Sequence, residues 1–364
     1  MIEQHSIHHT EHHKQPLVSI CIPTYNGARY LKETLDSCLS QTYKNVDILI
    51  SDDGSTDETF SLVQSYMSTY PQIRLHRNSS NLGLVGNWKK CIELAKGDWI
   101  KFIFQDDVMK EDCVARMMEA CIDNDTLMCI CSRTFLFEPD SDEKIKLYYS
   151  HELSRGERLF RHNSCVQPEE SKLLVSPFVI ENVLGEPICT LFHRTLYRAV
   201  GGYQEELKQV VDYEFGLKAI LSFPFTFIPE PLVVFRVHGS STTGTTHAGS
   251  AAKSAVTEKM IQSTVGDFIR LIGMYKSDAR FSCFLEYWGI QRLNLLERYL
   301  YLRACKYYSK FKVKNALAKE INNNINLKKC PYSLFRYKWA KYQYKKQIKP
   351  WMNQYGNSIV KLPD

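Results

Sequence analysis

Two pairs of adjacent aspartates, Asp52 and Asp53 in "ILISDDGSTDET" and Asp106 and Asp107 in "FIFQDDV", each follow a short apolar run. Neighbouring carboxylates repel, so each pair needs a cation, backbone donors or a donor-rich ligand to offset its charge. A carboxylate only accepts hydrogen bonds, which suits it to hard divalent cations and to the N–H groups of a ligand. A turn is the competing explanation of the first pair, because Asp, Gly54 and the hydroxyls of Ser55 and Thr56 are turn-forming and helix-capping residues. Further titratable groups stand downstream, Asp212 and Glu214 in "VVDYEFGLKAI" and His238 in "FRVHGSS".

The elements that must position these residues alternate. "LVSICI" (17–22) reads as a strand before "PTYNG", and Leu31, Leu35, Cys38 and Leu39 then recur at helical spacing. "VDILIS" (46–51), a helix over 57–70, "IRLHR" (73–77), a helix over 85–96 closed by Gly97, and "DWIKFIF" (98–104) continue the pattern. Such alternation specifies a Rossmann-like α/β fold with a mostly parallel sheet, whose ligands bind beyond the carboxyl ends of the strands. "PTYNG", "DDGS" and "QDDV" each come directly after a strand, so all three loops are expected at one sheet edge. Four carboxylates gathered there point to a cation or a donor-rich ligand more than to turns alone.

Residues 134–185 are polar and irregular, with Pro139, Pro168 and Pro177, and read as an excursion over the crevice. Order returns with "ICTLFHR" (188–194), "VVDYEFGLKAI" (210–220) and "PLVVFRVH" (231–238). The Gly/Ser/Thr-rich segment after it reads as a flexible loop, 241–254, and residues 255–364 as a helical, basic C-terminal region.

Composition limits the setting. With 44% apolar and 24% charged residues, a chain of 364 residues carries a sizeable core. Twelve scattered cysteines, with no C-x-x-C pair, read as core thiols in a reducing cytosol. No uncharged apolar run reaches the ~18 residues of a membrane span, and a signal peptide's apolar centre is missing, so a cytoplasmic protein is expected. Residues 1–16 hold five histidines, from His5 to His13, and read as a disordered polar tail with adventitious metal binding as the alternative. Net charge is +6, yet residues 301–350 alone hold fourteen Lys or Arg against one acid, Glu320. The remainder of the chain is therefore acidic.

Taken in order, "VSICIPTYNGARYLKETLDSCLSQTYKNVDILISDDGSTD", "NLGLVGNWKKCIELAKGDWIKFIFQDD", "GEPICTLFHR", "VVDYEFGLKAI" and "FRVHGSS" resemble the family 2 glycosyltransferases of the GT-A fold. The likeness covers residues 17–240, which become the expected catalytic domain, with 134–185 on the acceptor side. It implies a nucleotide-sugar donor across the strand ends. Asp53 is then expected to accept the uracil N3–H, with Tyr25 stacking on the base, Pro23 and Thr24 shaping the pocket, and Asn81 and Asn87 beside the nucleotide. Asp52 is expected to bond nearby turn amides. The family's D-x-D metal motif is altered here, with Phe104 in the place of its first aspartate and Gln105 between. The resemblance leaves Asp106, with His238, to hold Mn²⁺ or Mg²⁺, and assigns Asp107 and Glu186 to the donor sugar or the acceptor.

Transfer with inversion needs a base for the acceptor hydroxyl. Asp212 matches the second acid of the family's E-D position, Val211 replacing the first. Glu214 reads as a charge on the first helical turn. The expected reaction is sugar transfer, inverting and metal-dependent, from a UDP-linked donor to a glycan acceptor carried on lipid, in surface-polysaccharide synthesis. The alternatives are a sugar-nucleotide pyrophosphorylase, which would need a glycine-rich phosphate loop where "PTYNGARY" has one glycine, and an inactive docking subunit of a synthase. Aromatics interleaved with Lys and Arg between 303 and 349 point to an anionic membrane surface at the inner leaflet rather than nucleic acid, or to an appendage packed on the catalytic domain.

Overall fold

A computed structural model of the chain describes residues 15–139, 141, 146, 159–160, 165–176, 182–238, 254–311, 341–343 and 345–346. Strands β1 (Val18–Thr24), β2 (Val46–Asp52), β3 (Ile73–Arg77) and β4 (Trp99–Phe102) lie parallel in the order β3-β2-β1-β4. β1 is paired on both edges and buried throughout, which is why "VSICIPT" does not alternate in polarity. Helices α1 (Ala28–Leu39), α2 (Thr59–Thr69) and α3 (Gly83–Leu94) connect these strands. α1 turns Leu31, Leu35 and Cys38 inward, and each fully buried leucine contributes about 2 kcal/mol.

The chain continues through β5 (Val108–Met109), α4 (Cys113–Asp123), β6 (Met128–Phe137), β7 (Cys165–Val166), α5 (Pro168–Val175), β8 (Thr190–His193), α6 (Arg194–Ala199), α7 (Val211–Ser222) and β9 (Phe225–Val237). β8 inserts antiparallel between β4 and β6, while β9 runs parallel to β6 and antiparallel to β5 and β7. The sheet is therefore mixed, more so than strand–helix alternation implies. A short strand entering late between two others is free of the helical crossover that keeps consecutive strands parallel. The buried Lys101 ammonium donates to the carbonyls of Ile188 and Phe102, tying the turn before β8 to β4. Within 134–185, read as irregular from sequence, stand the end of β6, β7 and α5. The strands there are short or edge-paired, so their apolar pattern is faint.

Cys21, Cys38, Cys91, Cys113, Cys121, Cys129, Cys131, Cys189 and Cys283 are buried free thiols, and Cys165 is a half-buried one. Among the described residues no helix is long and apolar enough to cross a membrane. The N-terminal histidines, the segment 239–253 and the basic stretch 312–340 lie outside the described residues.

The chain divides into two compact units. The sheet belongs to the first, made of Met1–Pro168, Leu184–Glu205 and Phe215–His238. The second gathers Glu169–Val183, Glu206–Glu214 and Gly239–Asp364. It contains α8 (Ser254–Ser277) and α9 (Ser282–Phe311), the latter broken at Gly289 where φ is 71°. Tyr275 stacks on Phe284 with centroids 4.1 Å apart, and the buried Trp288 indole donates to the Ser176 carbonyl at 2.8 Å. Lys276 pairs with Glu297 at 2.7 Å across the two helices.

Candidate active site

The first unit's strand-end loops are laced together by side chains bonding to backbone. The Asn26 amide donates to Ser55 Oγ (2.9 Å), the Thr56 amide to Asn26 Oδ1 (2.8 Å), and the Gly27 amide to Thr59 Oγ1 (2.8 Å). These bonds account for the run of hydroxyls after the first acidic pair. On the other side, the Tyr25 amide donates to Gln105 Oε1 (2.8 Å) and Gln105 Nε2 to the Tyr25 carbonyl (3.3 Å). The three loops therefore converge at one sheet edge. A Cβ on Gly27 would lie 2.2 Å from Gln105 Oε1, so a side chain there would displace the Gln105 amide from its bonds to Tyr25.

The members of the first acidic pair differ in use. Asp52 Oδ1 accepts the Ser55 amide at 3.1 Å, and Oδ2 faces Arg77 Nε at 3.3 Å. Asp53 holds the start of α3, where Oδ1 accepts from Asn78 Nδ2 (2.9 Å) and the Leu82 amide (2.8 Å) and Oδ2 from the Gly83 amide (2.9 Å). Negative charge at a helix N-terminus is stabilised there. Gly83 has φ of +74°, a left-handed conformation that a side chain would strain. A carboxylate has about four lone-pair directions, so Asp53 keeps one beyond these three bonds.

Asn81 and Asn87, expected beside the nucleotide, both bond to the scaffold, Asn81 from an exposed position and Asn87 from a buried one. Asn81 donates to the Asp53 carbonyl (3.2 Å) and accepts the Gly83 amide (3.0 Å), while the buried Asn87 donates to the Ser51 carbonyl (2.9 Å) and accepts from Asn78 (3.1 Å). Pro23 and Thr24 end β1, both buried, and the Thr24 carbonyl accepts the Asp53 amide at 2.8 Å. Tyr25 follows with 48% of its surface exposed, available to a planar ligand.

The second acidic pair divides in the same way. Asp106 Oδ2 stands 2.9 Å from His238 Nε2, whose ring packs against Tyr30 with centroids 4.8 Å apart. Two adjacent ligand atoms about 2.1 Å from an octahedral cation are about 3.0 Å apart, so the pair fits such an ion. Among the described residues there is no cluster of three or more His, Cys, Asp or Glu able to hold a metal. A cation at this pair would draw its other oxygens from ligand and water.

Asp107 turns inward, 1% exposed, and its Oδ1 accepts the Arg236 amide at 2.8 Å. Burial, then the neighbouring Asp106 charge, pushes its carboxyl well above the ordinary range. Its bond in this structure is to β9.

Arg236 is the residue that motif reading missed. Its Nε donates to the Asp106 carbonyl (2.9 Å), its two terminal nitrogens pair with Glu138 (2.6 Å) and Glu33, and its guanidinium lies 4.5 Å from the centre of the Tyr30 ring. The pairing of β5 with β9 brings "FRVH" against "QDDV" across 130 positions of sequence. The signal was present in "FRVH", where an arginine sits in an apolar strand; buried arginines are seldom unpaired.

The Phe104 substitution is a packing choice. Its ring stacks on Trp88 at 5.3 Å and 18°, in a cluster with Phe102 and Tyr203. A carboxylate there would be desolvated against aromatic faces. Glu186 pairs with Arg133 at 2.6 Å just before the turn Pro187–Cys189 that enters β8.

Asp212 belongs to the second unit, on the first turn of α7, where Asn182 Nδ2 donates to its Oδ2 at 3.4 Å. Glu214, two residues on, is fully buried, which agrees poorly with a solvated helical charge.

The glycosyl transferase family 2 model matches residues 19–167. A glycosyltransferase of uncharacterised role from Rickettsia prowazekii is 31% identical over 237 residues, covering 63% of this chain and 67% of the relative. Among solved structures, TarS of S. aureus in complex with UDP-GlcNAc superposes with a TM-score of 0.53 at 13% identity, covering 90% of this chain and 91% of TarS. The mannosyltransferase PcManGT of Pyrobaculum calidifontis, in complex with GDP-Man and Mn²⁺, gives 0.52 at 17% identity, covering 91% and 84%. At such identities these two show a shared fold. The matched family model and the Rickettsia relative set aside the pyrophosphorylase alternative, and the converging strand-end loops belong to a family 2 glycosyltransferase of the GT-A type.

Proposed function

We propose that the chain transfers a sugar, with inversion, from a UDP-linked donor to a glycan hydroxyl, using Mn²⁺ or Mg²⁺ held by Asp106 and His238. The observation that carries this reading is the Asp106–His238 pair at 2.9 Å, fixed from behind by Arg236. When bound, the cation supplies charge neutralisation for the donor diphosphate. Tyr25 receives the base, and the remaining lone pair of Asp53 accepts the uracil N3–H. Asp212 takes the proton of the acceptor hydroxyl, and Glu186, held by Arg133, serves the acceptor or donor sugar.

TarS with UDP-GlcNAc and PcManGT with GDP-Man share this fold, so the fold alone admits either base. Asp53 favours uracil in our reading because one acceptor direction suits one ring N–H. The acceptor is proposed to be lipid-linked at the cytoplasmic membrane face, as part of surface-polysaccharide synthesis, with the basic stretch 301–350 attracting anionic headgroups at about 1 kcal/mol per engaged residue. Sedimentation with anionic and neutral liposomes checks that part; binding without anionic preference would reject it.

The test of the donor reading is nucleotide release from a panel of UDP-glucose, UDP-galactose, UDP-GlcNAc and GDP-mannose, with Mn²⁺ and with excess EDTA. UDP-sugar turnover lost in EDTA is expected. Release from GDP-mannose alone would overturn the base assignment, and full turnover in EDTA would overturn the cation.

A further inference from the structure

The segment that carries Asp212 is held by a carboxylate far along the chain. Asp267, on α8, is fully buried, and its Oδ2 accepts the backbone amides of Lys208 (2.7 Å), Gln209 (2.6 Å) and Val210 (3.4 Å). Its other oxygen faces Arg270 at 3.2 Å. Successive amides converging on one oxygen form an anion nest, and these three come immediately before α7, whose second residue is Asp212. The first helical bond of α7, from the Glu214 amide to the Val210 carbonyl at 2.9 Å, grows directly from this anchored stretch. Next to Asp212, Tyr213 is buried and its hydroxyl shares a hydrogen bond with that of Tyr275, also on α8. Asn182 Nδ2 reaches Asp212 itself, at 3.4 Å.

Val211 occupies the place of the first acid in the family pattern, so the residue preceding the base carries no carboxylate. We infer that Asp267 is the positioning residue for the base, fixing the backbone of 208–210 so that the first turn of α7 presents Asp212 in one orientation. This rests on the reading of Asp212 as the base. Helix α8 thereby takes part in catalysis through geometry.

An error of about 1 Å in a catalytic group can cost ~10²-fold in rate, whereas donor binding on other residues is unaffected. The experiment uses the full chain and the nucleotide sugar released fastest in the panel above, with Asp267→Ala, Asp267→Glu, Asp267→Asn, Asp212→Asn and the double variant Asp212→Asn/Asp267→Ala. Asp267→Ala is expected to lower kcat by about tenfold or more with donor KM unchanged. Asp267→Asn keeps an acceptor oxygen for the three amides and is expected to restore most of kcat. The double variant is expected to be no slower than Asp212→Asn, because Asp267 acts only through Asp212.

Wild-type kcat in Asp267→Ala, with Asp212→Asn inactive, would overturn the positioning role and leave the base assignment standing. A parallel change of KM and kcat, or additive losses in the double variant, would overturn it as well. Wild-type turnover in Asp212→Asn would remove the base reading and this inference together. If Asp267→Ala does not fold, Asp267→Glu decides, since its extra methylene displaces the amides while keeping the charge. A several-fold fall in kcat at constant KM is expected, and wild-type kcat would reject the role.

Discussion

The donor-side loops and the segment bearing Asp212 are held by different kinds of contact. The loops after β1, β2 and β4 lie on adjacent strands and tie one another with short side chains from within their own motifs, such as Asn26, Ser55, Asp57 and Gln105. The Asp212 segment takes its main anchor from Asp267, 57 to 59 positions beyond the amides it binds. A loop that carries its own supports has a recognisable sequence. A segment supported from a distant helix does not.

This difference gives the largest expected effect. Asp212→Asn should lower turnover by at least about 10²-fold while donor affinity, measured by titration calorimetry, stays at the wild-type value. The amide keeps the shape but cannot accept a proton at neutral pH. Loss of donor affinity in step with turnover would erase the division between the two regions.

Arg236→Met probes the long-range support on the donor side. It leaves Glu33 and Glu138 without their shared partner and the Asp106 carbonyl without its donor, and should cost about 3 kcal/mol in denaturant unfolding. A loss under ~1 kcal/mol would make the contact incidental.

Asp47 sharpens the comparison through pH. Burial alone would raise its carboxyl, but the two-pronged bond from Arg74 (2.6 and 2.7 Å), Ser19 and the Lys96 amide outweigh it and hold the group below its ordinary 3.8. A depressed carboxyl contributes stability that is present above the unfolded value and lost as pH falls through the folded one. Asp47→Asn should therefore lose about 2 kcal/mol at pH 7 and show a shallower decline below pH ~4. An unchanged acid limb would contradict this.

The smallest effect is expected of Gln105→Ala. It removes two backbone contacts to Tyr25 and should cost about 1 kcal/mol, with a weaker hold on the nucleotide base and unchanged kcat. A fall in kcat at constant affinity would place Gln105 among the reacting groups.

The parallel strands and the three strand-end loops were legible because burial on both faces leaves continuous apolar runs and because short motifs fix loop chemistry, whereas Asp106 and His238 were named together only through the family resemblance. The insertion of β8 was not legible, since antiparallel and parallel strands have similar composition. Nor was the inward turn of Asp107 and Asn87. A sequence gives residue type at a loop, whereas which oxygen faces the crevice depends on partners such as Arg236 and Asn78 that pair across the sheet. Glu214 looked like a surface charge from its place on a first turn, and its burial comes from tertiary packing that helical position does not encode.

The cation reading has one direct test. Pulsed electron paramagnetic resonance of Mn²⁺ bound to the full chain with UDP should show coupling to a single histidine nitrogen, and that coupling should vanish in His238→Ala. A spectrum without nitrogen coupling, or coupling that persists in His238→Ala, would contradict a cation held by Asp106 and His238.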